Sequence, residues 1–362
     1  MDIEPGATGA PTVEKNMLPA TRKLDFSEVP VIDMSPERFA TPESRKRLAD
    51  ELAEACATVG FLYLKNHPIP QAQIDGVFEA VKAFFALPQE AKDAVSMAKN
   101  RHFQGYLPML TKGTGNAERG GTITANKQEA FQFRRPLAAD DPDLLTGERL
   151  AGTIPWPREL PALKEVLLAY HARMCRFGES MIELFELGLD LPRDAIRQHF
   201  RKDMNALRII HYPPQQVDES GANLGTRAHT DTDAFTFVYQ DATGGLEIRN
   251  RDGEWIGVPP IPGTYVLNIG EVMKVWTDGV FSSTPHRVIN RYGKERYSVP
   301  FFMFPTYDEV IAPKIRNPDP SNVAPEDFHT SMPRDKPFVW GEFKKANYAR
   351  INPTAPERAM AD

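Results

Sequence analysis

Apolar positions recur at helical spacing in three places along the chain. Between Pro42 and Thr58 they are Leu48, Leu52, Ala55 and Cys56, and from Ile74 to Phe85 they are Val77, Val81, Phe84 and Phe85. The strongest stripe, Met174, Phe177, Met181, Leu184 and Phe185, predicts a helix over Pro161–Leu189, with Gly188 as its stop signal. Val29–Asp33 and Gly60–Leu64 are short β-forming runs, so the N-terminal third reads as mixed α/β. After Asn205 the period shortens. Ala206–Tyr212, Phe235–Gln240, Leu246–Arg249, Glu254–Val258, Tyr265–Ile269, His286–Asn290 and Tyr297–Phe304 alternate with Gly, Pro and Asp turns, which predicts a sandwich or jelly roll. Asn250-Arg251-Asp252-Gly253 predicts a hairpin with an Asp-Gly turn. Between His102 and Arg135 the periodicity fails, and Gly113, Gly115, Gly120 and Gly121 interrupt a polar stretch. That predicts a long loop, of a length often used as an active-site lid. Its glycines match no phosphate-binding pattern.

Composition narrows the class. At 41% hydrophobic and 25% charged, the 362-residue chain has the make-up of an ordinary folded protein. The net charge of -6 offers no positive field for nucleic acid, which is set aside as a partner. Cys56 and Cys175 are too few for a disulfide framework and too far apart for a zinc-binding pair, so they read as reduced thiols of a cytoplasmic protein. The first 26 residues lack the apolar core of a secretory signal and read as a flexible arm. No stretch approaches the ~18 to 20 apolar residues needed to cross a bilayer, so no membrane is expected as a partner.

The chemistry concentrates in the strand-rich half. His229-Thr230-Asp231 places an imidazole and a carboxylate two residues apart, on one face if the segment is extended. His286 can return beside them after two or three hairpins. Two His and one carboxylate on a single face suit Fe(II) and leave coordination positions open, whereas a structural zinc site wants four ligands, usually including Cys. Arg296-Tyr297-Ser298 is a second i, i+2 pair, at the edge of an apolar run. A guanidinium fork facing a barrel interior needs an anion, and the hydroxyl adds a hydrogen bond to the same carboxylate. Phe235, Phe302, Phe304 and Tyr307, with Phe103, Tyr106, Leu107 and Phe131 of the loop stretch, are candidates to line a pocket for a small organic substrate. Arg134 and Arg135 read as solvated surface charge.

Several segments together carry a resemblance. Leu207–Pro214, His229-Thr230-Asp231, Asn268-Ile269-Gly270-Glu271, Trp276-Thr277-Asp278-Gly279, Pro285-His286-Arg287-Val288 and Arg296-Tyr297-Ser298 resemble, in order, the isopenicillin N synthase-like 2-oxoglutarate/Fe(II) dioxygenases. Val29–Asp33, Gly60–His67 and Phe84–Pro88 resemble that family's N-terminal region, so the likeness covers about residues 28 to 345. It implies a double-stranded β-helix core, with iron at His229, Asp231 and His286, and 2-oxoglutarate held by Arg296, Ser298 and Tyr212. The implied layout is an arm at 1–27 and an N-terminal region at 28–200 with a lid at about 102–135. A jelly-roll core at 201–310 and a C-terminal extension at 311–362 complete it.

The implied reaction is oxidation, foremost hydroxylation, of a small organic molecule with O2, releasing succinate and CO2. Asp231 as a carboxylate ligand favours hydroxylation over halide binding. A 2-oxoglutarate-independent or ethylene-forming oxidase of the same fold, and a non-catalytic metal-binding β-sandwich, are the alternatives. His67 and His211 fall outside the triad and read as structural; His102, His171, His199 and His329 read as surface or packing residues. Asp233 stands where many relatives have Gly or Ser, and Glu271 where most have Asp. The segment from Trp340 onward is expected to form a helix over the barrel or a subunit contact.

Overall fold

The computed structural model describes residues 27–109, 126–137, 140–141, 150, 152–202, 204–215, 224–290, 293–315, 317, 332–333 and 336–351. The expected N-terminal arm, the middle of the expected lid and His329 lie outside the described residues. In chain order the elements are β1 (Val31–Asp33), α1 (Pro42–Thr58), β2 (Phe61–Lys65), α2 (Gln71–Phe85), α3 (Gln89–Ala94), β3 (Gly105–Leu107) and β4 (Glu129–Arg134). Next come α4 (Ala162–Gly188), β5 (Ala206–Tyr212), β6 (Thr226–His229), β7 (Phe235–Gln240), β8 (Leu246–Arg249), β9 (Trp255–Gly257) and β10 (Thr264–Ile269). Then follow α5 (Glu271–Trp276), β11 (His286–Val288), β12 (Arg296–Met303) and, after a short two-stranded ribbon, α6 (Trp340–Ile351).

Local signals set several of these bounds. Thr41 and Ser44 form a reciprocal capping box ahead of Pro42, satisfying backbone donors that the first turn of α1 leaves open. Gly253, with φ of +84°, closes the β8–β9 hairpin in a conformation that favours glycine.

An eight-stranded sheet runs β1-β2-β10-β7-β12-β5-β4-β3, and a four-stranded sheet runs β6-β11-β8-β9. Pairing is antiparallel throughout except between β1 and β2. The large sheet has two buried faces. On one, Phe235, Phe237, Phe301, Met303, Leu207, Phe131 and Phe133 join the buried stripe of α4 and residues of α1 and α2. Phe237 stacks on Phe177 at 4.7 Å and Phe235 meets Phe185 edge-on at 5.2 Å. On the other, Phe61, Tyr63, Val266, Ile210, Tyr212 and Ala130 meet Leu246, Ile248 and Val288 of the small sheet. This second, smaller core between two antiparallel sheets is the jelly-roll interior.

The stretch from His102 to Arg135 is not the single loop its text predicts. Its ends are β3 and β4, which extend the large sheet beyond β5. They become strands by pairing, because residues that the sequence offers as polar, Gln132 and Arg134, point inward and are buried. Among the described residues no helix is long and apolar enough to cross a membrane.

Candidate active site

β6 and β11 are antiparallel neighbours with His229 opposite His286, and their rings stand 4.2 Å apart. β6 ends at His229, so Asp231 comes from the turn after the strand rather than from the strand face that the spacing suggested. That turn is strapped to the start of α5: Glu271 N–H donates to Asp231 O at 2.8 Å, Val272 N–H to Asp233 O at 2.9 Å, and Gly270 N–H to Ala234 O at 2.9 Å.

Asp231 Oδ1 lies 3.6 Å from His229 Nε2 and 3.8 Å from His286 Nε2. Every other polar atom of the three side chains is occupied. His229 Nδ1 faces Arg227 O at 2.8 Å and His286 Nδ1 faces Thr284 O at 3.2 Å, so each ring donates there and turns an Nε2 lone pair inward. Asp231 Oδ2 accepts from Thr236 Oγ1 at 2.7 Å and from Asn268 Nδ2 at 2.8 Å. One ligand atom from each residue falls within 4.8 Å of the others, a donor set of two neutral imidazoles and one carboxylate that fits a divalent iron ion. The His229 side chain is 40% exposed against 10% for each of the other two, so the cluster opens on the His229 side.

Burial pushes the Asp231 carboxyl up, but the two imidazoles facing it and the Thr236 hydrogen bond hold it far below the carboxylate range. Burial and the neighbouring His229 lower His286 to about 4, leaving it neutral. Thr236 Oγ1 also lies 2.7 Å from Asp233 Oδ2. One hydroxyl therefore stands between the two carboxylates, and burial together with the Asp231 charge pushes Asp233 up. Asp233 is fully buried and contributes to this relay rather than to a substrate surface.

A second cluster faces the same interior. Arg296 is 1% exposed and shares the inward row of β12 with Ser298. Its Nε donates to Gly244 O at 2.6 Å, Nη1 to Ser298 Oγ at 3.3 Å and Nη2 to Gln240 Oε1 at 3.4 Å, and the guanidinium sits 4.5 Å over the Tyr212 ring. All three acceptors are neutral, so this buried charge meets no carboxylate among the described residues. An anion with two oxygens is the partner such a group requires.

The expected aromatic lining divides by strand phase. Phe302 follows Arg296, Ser298 and Pro300 on the inward row and stacks on Phe304 at 5.8 Å. Phe103 stacks on Tyr348 of α6 at 5.6 Å. Tyr106, Phe131 and Phe235 have the opposite phase and point into the helical layer, which corrects their assignment to the pocket. Tyr307 is buried and donates to Glu342 at 2.9 Å. Arg134, read as solvated, is 1% exposed. His67 packs edge-on against Tyr265, and His211 stacks on Tyr297 and contacts Glu129 on the helical side of the sheet. The sequence reading missed Thr236 and Asn268, which hold Asp231, and Arg208, Lys344 and Tyr348, which gather beside Phe302. Thr236 and Asn268 carried a legible signal, since both are polar residues inside otherwise apolar strands.

Comparison with known proteins gives matches over both halves. Residues 29–159 match the N-terminal region described for a non-haem dioxygenase in morphine synthesis, and residues 204–305 match the 2OG-Fe(II) oxygenase superfamily. The 2-oxoglutarate-Fe(II) type oxidoreductase hxnY of Emericella nidulans is 30% identical over 290 residues, covering 78% of this chain and 80% of its own. A homoarginine-6-hydroxylase of Glycine max is 31% identical over 307 residues, covering 80% and 89%. A crystal structure of a 2OG-Fe(II) oxygenase family protein from Caulobacter crescentus has a TM-score of 0.72 at 27% identity, covering 90% of this chain and 100% of that one.

Proposed function

The chain belongs to the 2OG-Fe(II) oxygenase superfamily, and from that premise we propose that His229, Asp231 and His286 hold the iron and that Arg296, Ser298 and Tyr212 hold the far carboxylate of 2-oxoglutarate. The protein is a 2-oxoglutarate-dependent Fe(II) dioxygenase that uses O2 to oxidise a small organic molecule, releasing succinate and CO2. One observation carries the residue assignment: Asp231 Oδ1 faces both Nε2 atoms while its Oδ2 is tied to Thr236 and Asn268.

Each residue then has a distinct task. Asn268 and Thr236 hold Asp231 so that one oxygen is offered, which keeps it a one-oxygen ligand and leaves the exposed side of the cluster for small molecules. Arg296 fixes the orientation of the dicarboxylate, with Ser298 Oγ as a second donor and the Tyr212 ring beneath. Bound iron supplies the oxidising power for attack on a C–H bond. A carboxylate at position 231 occupies the place a halide would need, which supports hydroxylation as the outcome.

The chain divides accordingly. Residues 201–310 carry the iron and 2-oxoglutarate side chains, residues 28–200 supply the helical layer and the four strands β1–β4 that flank the large sheet, and α6 in 311–362 covers the inward row near Phe304. A cysteine content of only Cys56 and Cys175 supports action in the reducing cytoplasm.

Anaerobic calorimetry on Fe(II)-loaded protein tests the Arg296 assignment. One equivalent of 2-oxoglutarate binds to the wild type, and Arg296→Met weakens it roughly tenfold or more, the worth of a charged hydrogen-bonded contact. Unchanged affinity in Arg296→Met removes the assignment.

A further inference from the structure

A second group of buried cations lies on the inward face, and the iron and 2-oxoglutarate reading gives it no task. Arg134 on β4 is 1% exposed and Lys344 on α6 is 8% exposed; half-buried Arg208 on β5 stands over the Phe302 ring at 5.7 Å. Tyr348 lies among them, with the Arg134 guanidinium 5.0 Å and the Lys344 ammonium 5.5 Å from its ring. Burial pushes the Tyr348 hydroxyl up, yet the charges of Arg134, Lys344 and Arg208 pull it down to about 8.

A carboxylate partner is what this group lacks among the described residues. Arg208 donates to Gln132 Oε1, Gln132 Nε2 donates to the Tyr348 hydroxyl at 3.0 Å, and Lys344 Nζ donates to Thr232 Oγ1 at 2.7 Å. Asp233 attracts Lys344 from a distance but hydrogen-bonds to Thr236. No carboxylate among the described residues pairs with any of the three cations. Arg134 is the sharpest case: Nη1 donates to His102 O at 3.2 Å and Leu150 O at 3.3 Å, while buried Nε and Nη2 have no hydrogen-bond acceptor among the described residues. Those two nitrogens form one edge of the guanidinium, the edge that matches both oxygens of a carboxylate.

Register places this edge relative to the iron ligands. Arg134, Ala206, Phe302, Thr236 and Asn268 occupy one inward row across five neighbouring strands. Arg134 stands at one end, and at the other Thr236 and Asn268 grip Asp231. Three strand spacings of about 4.8 Å separate the Arg134 and Thr236 backbones, roughly 14 Å, with the Phe302 ring between them. Lys344 closes the same span from above through Thr232, the residue next to Asp231.

We propose that Arg134, supported by Arg208 and Lys344, binds the carboxylate of the primary substrate, so that the substrate is a small organic acid whose apolar body lies along Phe302 toward His229, Asp231 and His286. The oxidised carbon is then the one remote from the acid group. Which end is oxidised rests on the iron assignment above; the anion site itself does not.

The test uses the full-length protein loaded anaerobically with Fe(II) and 2-oxoglutarate. The probes are benzoate, 3-phenylpropanoate and hexanoate, each beside its primary amide, with binding read by calorimetry and iron and 2-oxoglutarate occupancy by visible absorption. At least one acid binds about tenfold or more tightly than its amide, the preference expected of a charge-assisted contact. Arg134→Met and Lys344→Met abolish that preference and leave the absorption band in place. Should Arg134→Met fail to fold, the half-buried Arg208→Gln must reduce the preference. Equal affinity for every acid and amide, or a preference that survives the substitutions, overturns the proposal. An acid preference without the absorption band supports the anion site and counts against the iron and 2-oxoglutarate assignment alone.

Discussion

Asn268 donates from Nδ2 to Oδ2 of Asp231 over 2.8 Å, leaving the other carboxylate oxygen facing both imidazoles. A polar side chain near the C-terminal end of β10, 1% exposed, thereby fixes the orientation of a proposed iron ligand on another segment. Asn268→Ala frees Asp231 to rotate. Its Fe(II) affinity falls roughly tenfold to a hundredfold, as for other residues that orient metal ligands, while the melting transition stays cooperative. Anaerobic metal titration of the folded variant checks this.

Gly270 sits where the turn carrying Asp231 crosses the start of α5. A Cβ there would lie 2.1 Å from Asp233 Oδ1 and 2.3 Å from the Asp233 carbonyl oxygen, and backbone cannot yield as a flexible side chain can. Gly270→Ala displaces the turn, costing about 1 to 3 kcal/mol of stability and weakening Fe(II) binding together. Denaturant unfolding and metal titration of one sample show whether the two losses coincide.

How much of this was legible in the sequence depends on which quantity a residue pattern encodes. Ala206–Tyr212, Phe235–Gln240 and Leu246–Arg249 were bounded as strands because apolar runs end at Gly, Pro or Asp turns. The phase of each strand was not legible from runs of aromatic residues. Phe302 shares its phase with Arg296 and Ser298 and faces inward, whereas Phe235, equally aromatic, pairs with Met303 and faces α4. Counting in twos from Arg296 would have separated them on β12, but carrying that phase to β7 needs the register between strands. Arg134 illustrates the same limit, since only pairing with β5 reveals that β4 lies inside the sheet. Lys344 reaches the site from a helix far along the chain, and no local pattern announces it.

Glu129 ties the outer face of β4 to its surroundings by accepting from Lys92 at 2.9 Å and from the Tyr106 hydroxyl at 2.6 Å and by facing His211 at 2.7 Å. Burial pushes its carboxyl up, but the hydrogen bonds from His211, Tyr106 and Lys92 prevail and lower it from 4.5 to about 2. A depressed carboxyl contributes stability that is complete above the unfolded value and disappears as pH falls through the folded one. Wild-type stability therefore drops between pH 4.5 and about 2, in part through this group. Glu129→Gln removes that share of the slope and, by leaving Lys92 buried without its partner, costs about 3 to 5 kcal/mol near neutrality. Unfolding midpoints measured against pH for both proteins decide it.

Tyr348 ionises early because three cations surround it, falling from 10.0 to about 8. Its folded value lies below its unfolded value, so the stability gained is full above pH 10 and lost as pH falls through about 8. Ultraviolet absorption of tyrosinate shows one residue titrating near pH 8, absent in Tyr348→Phe and shifted upward in Arg134→Met. A transition that ignores Arg134→Met would mean that Tyr348 does not sense the cluster.

The central claim is that His229, Asp231 and His286 hold iron in a position where 2-oxoglutarate, oriented by Arg296, completes its coordination. Anaerobic visible spectra of metal-free protein titrated with Fe(II) and then 2-oxoglutarate test it most directly. The account predicts a weak metal-to-ligand charge-transfer band in the wild type, no band in His229→Ala, and a band requiring far more 2-oxoglutarate in Arg296→Ala. Iron uptake without a band in the wild type, or an undiminished band in His229→Ala, would contradict it.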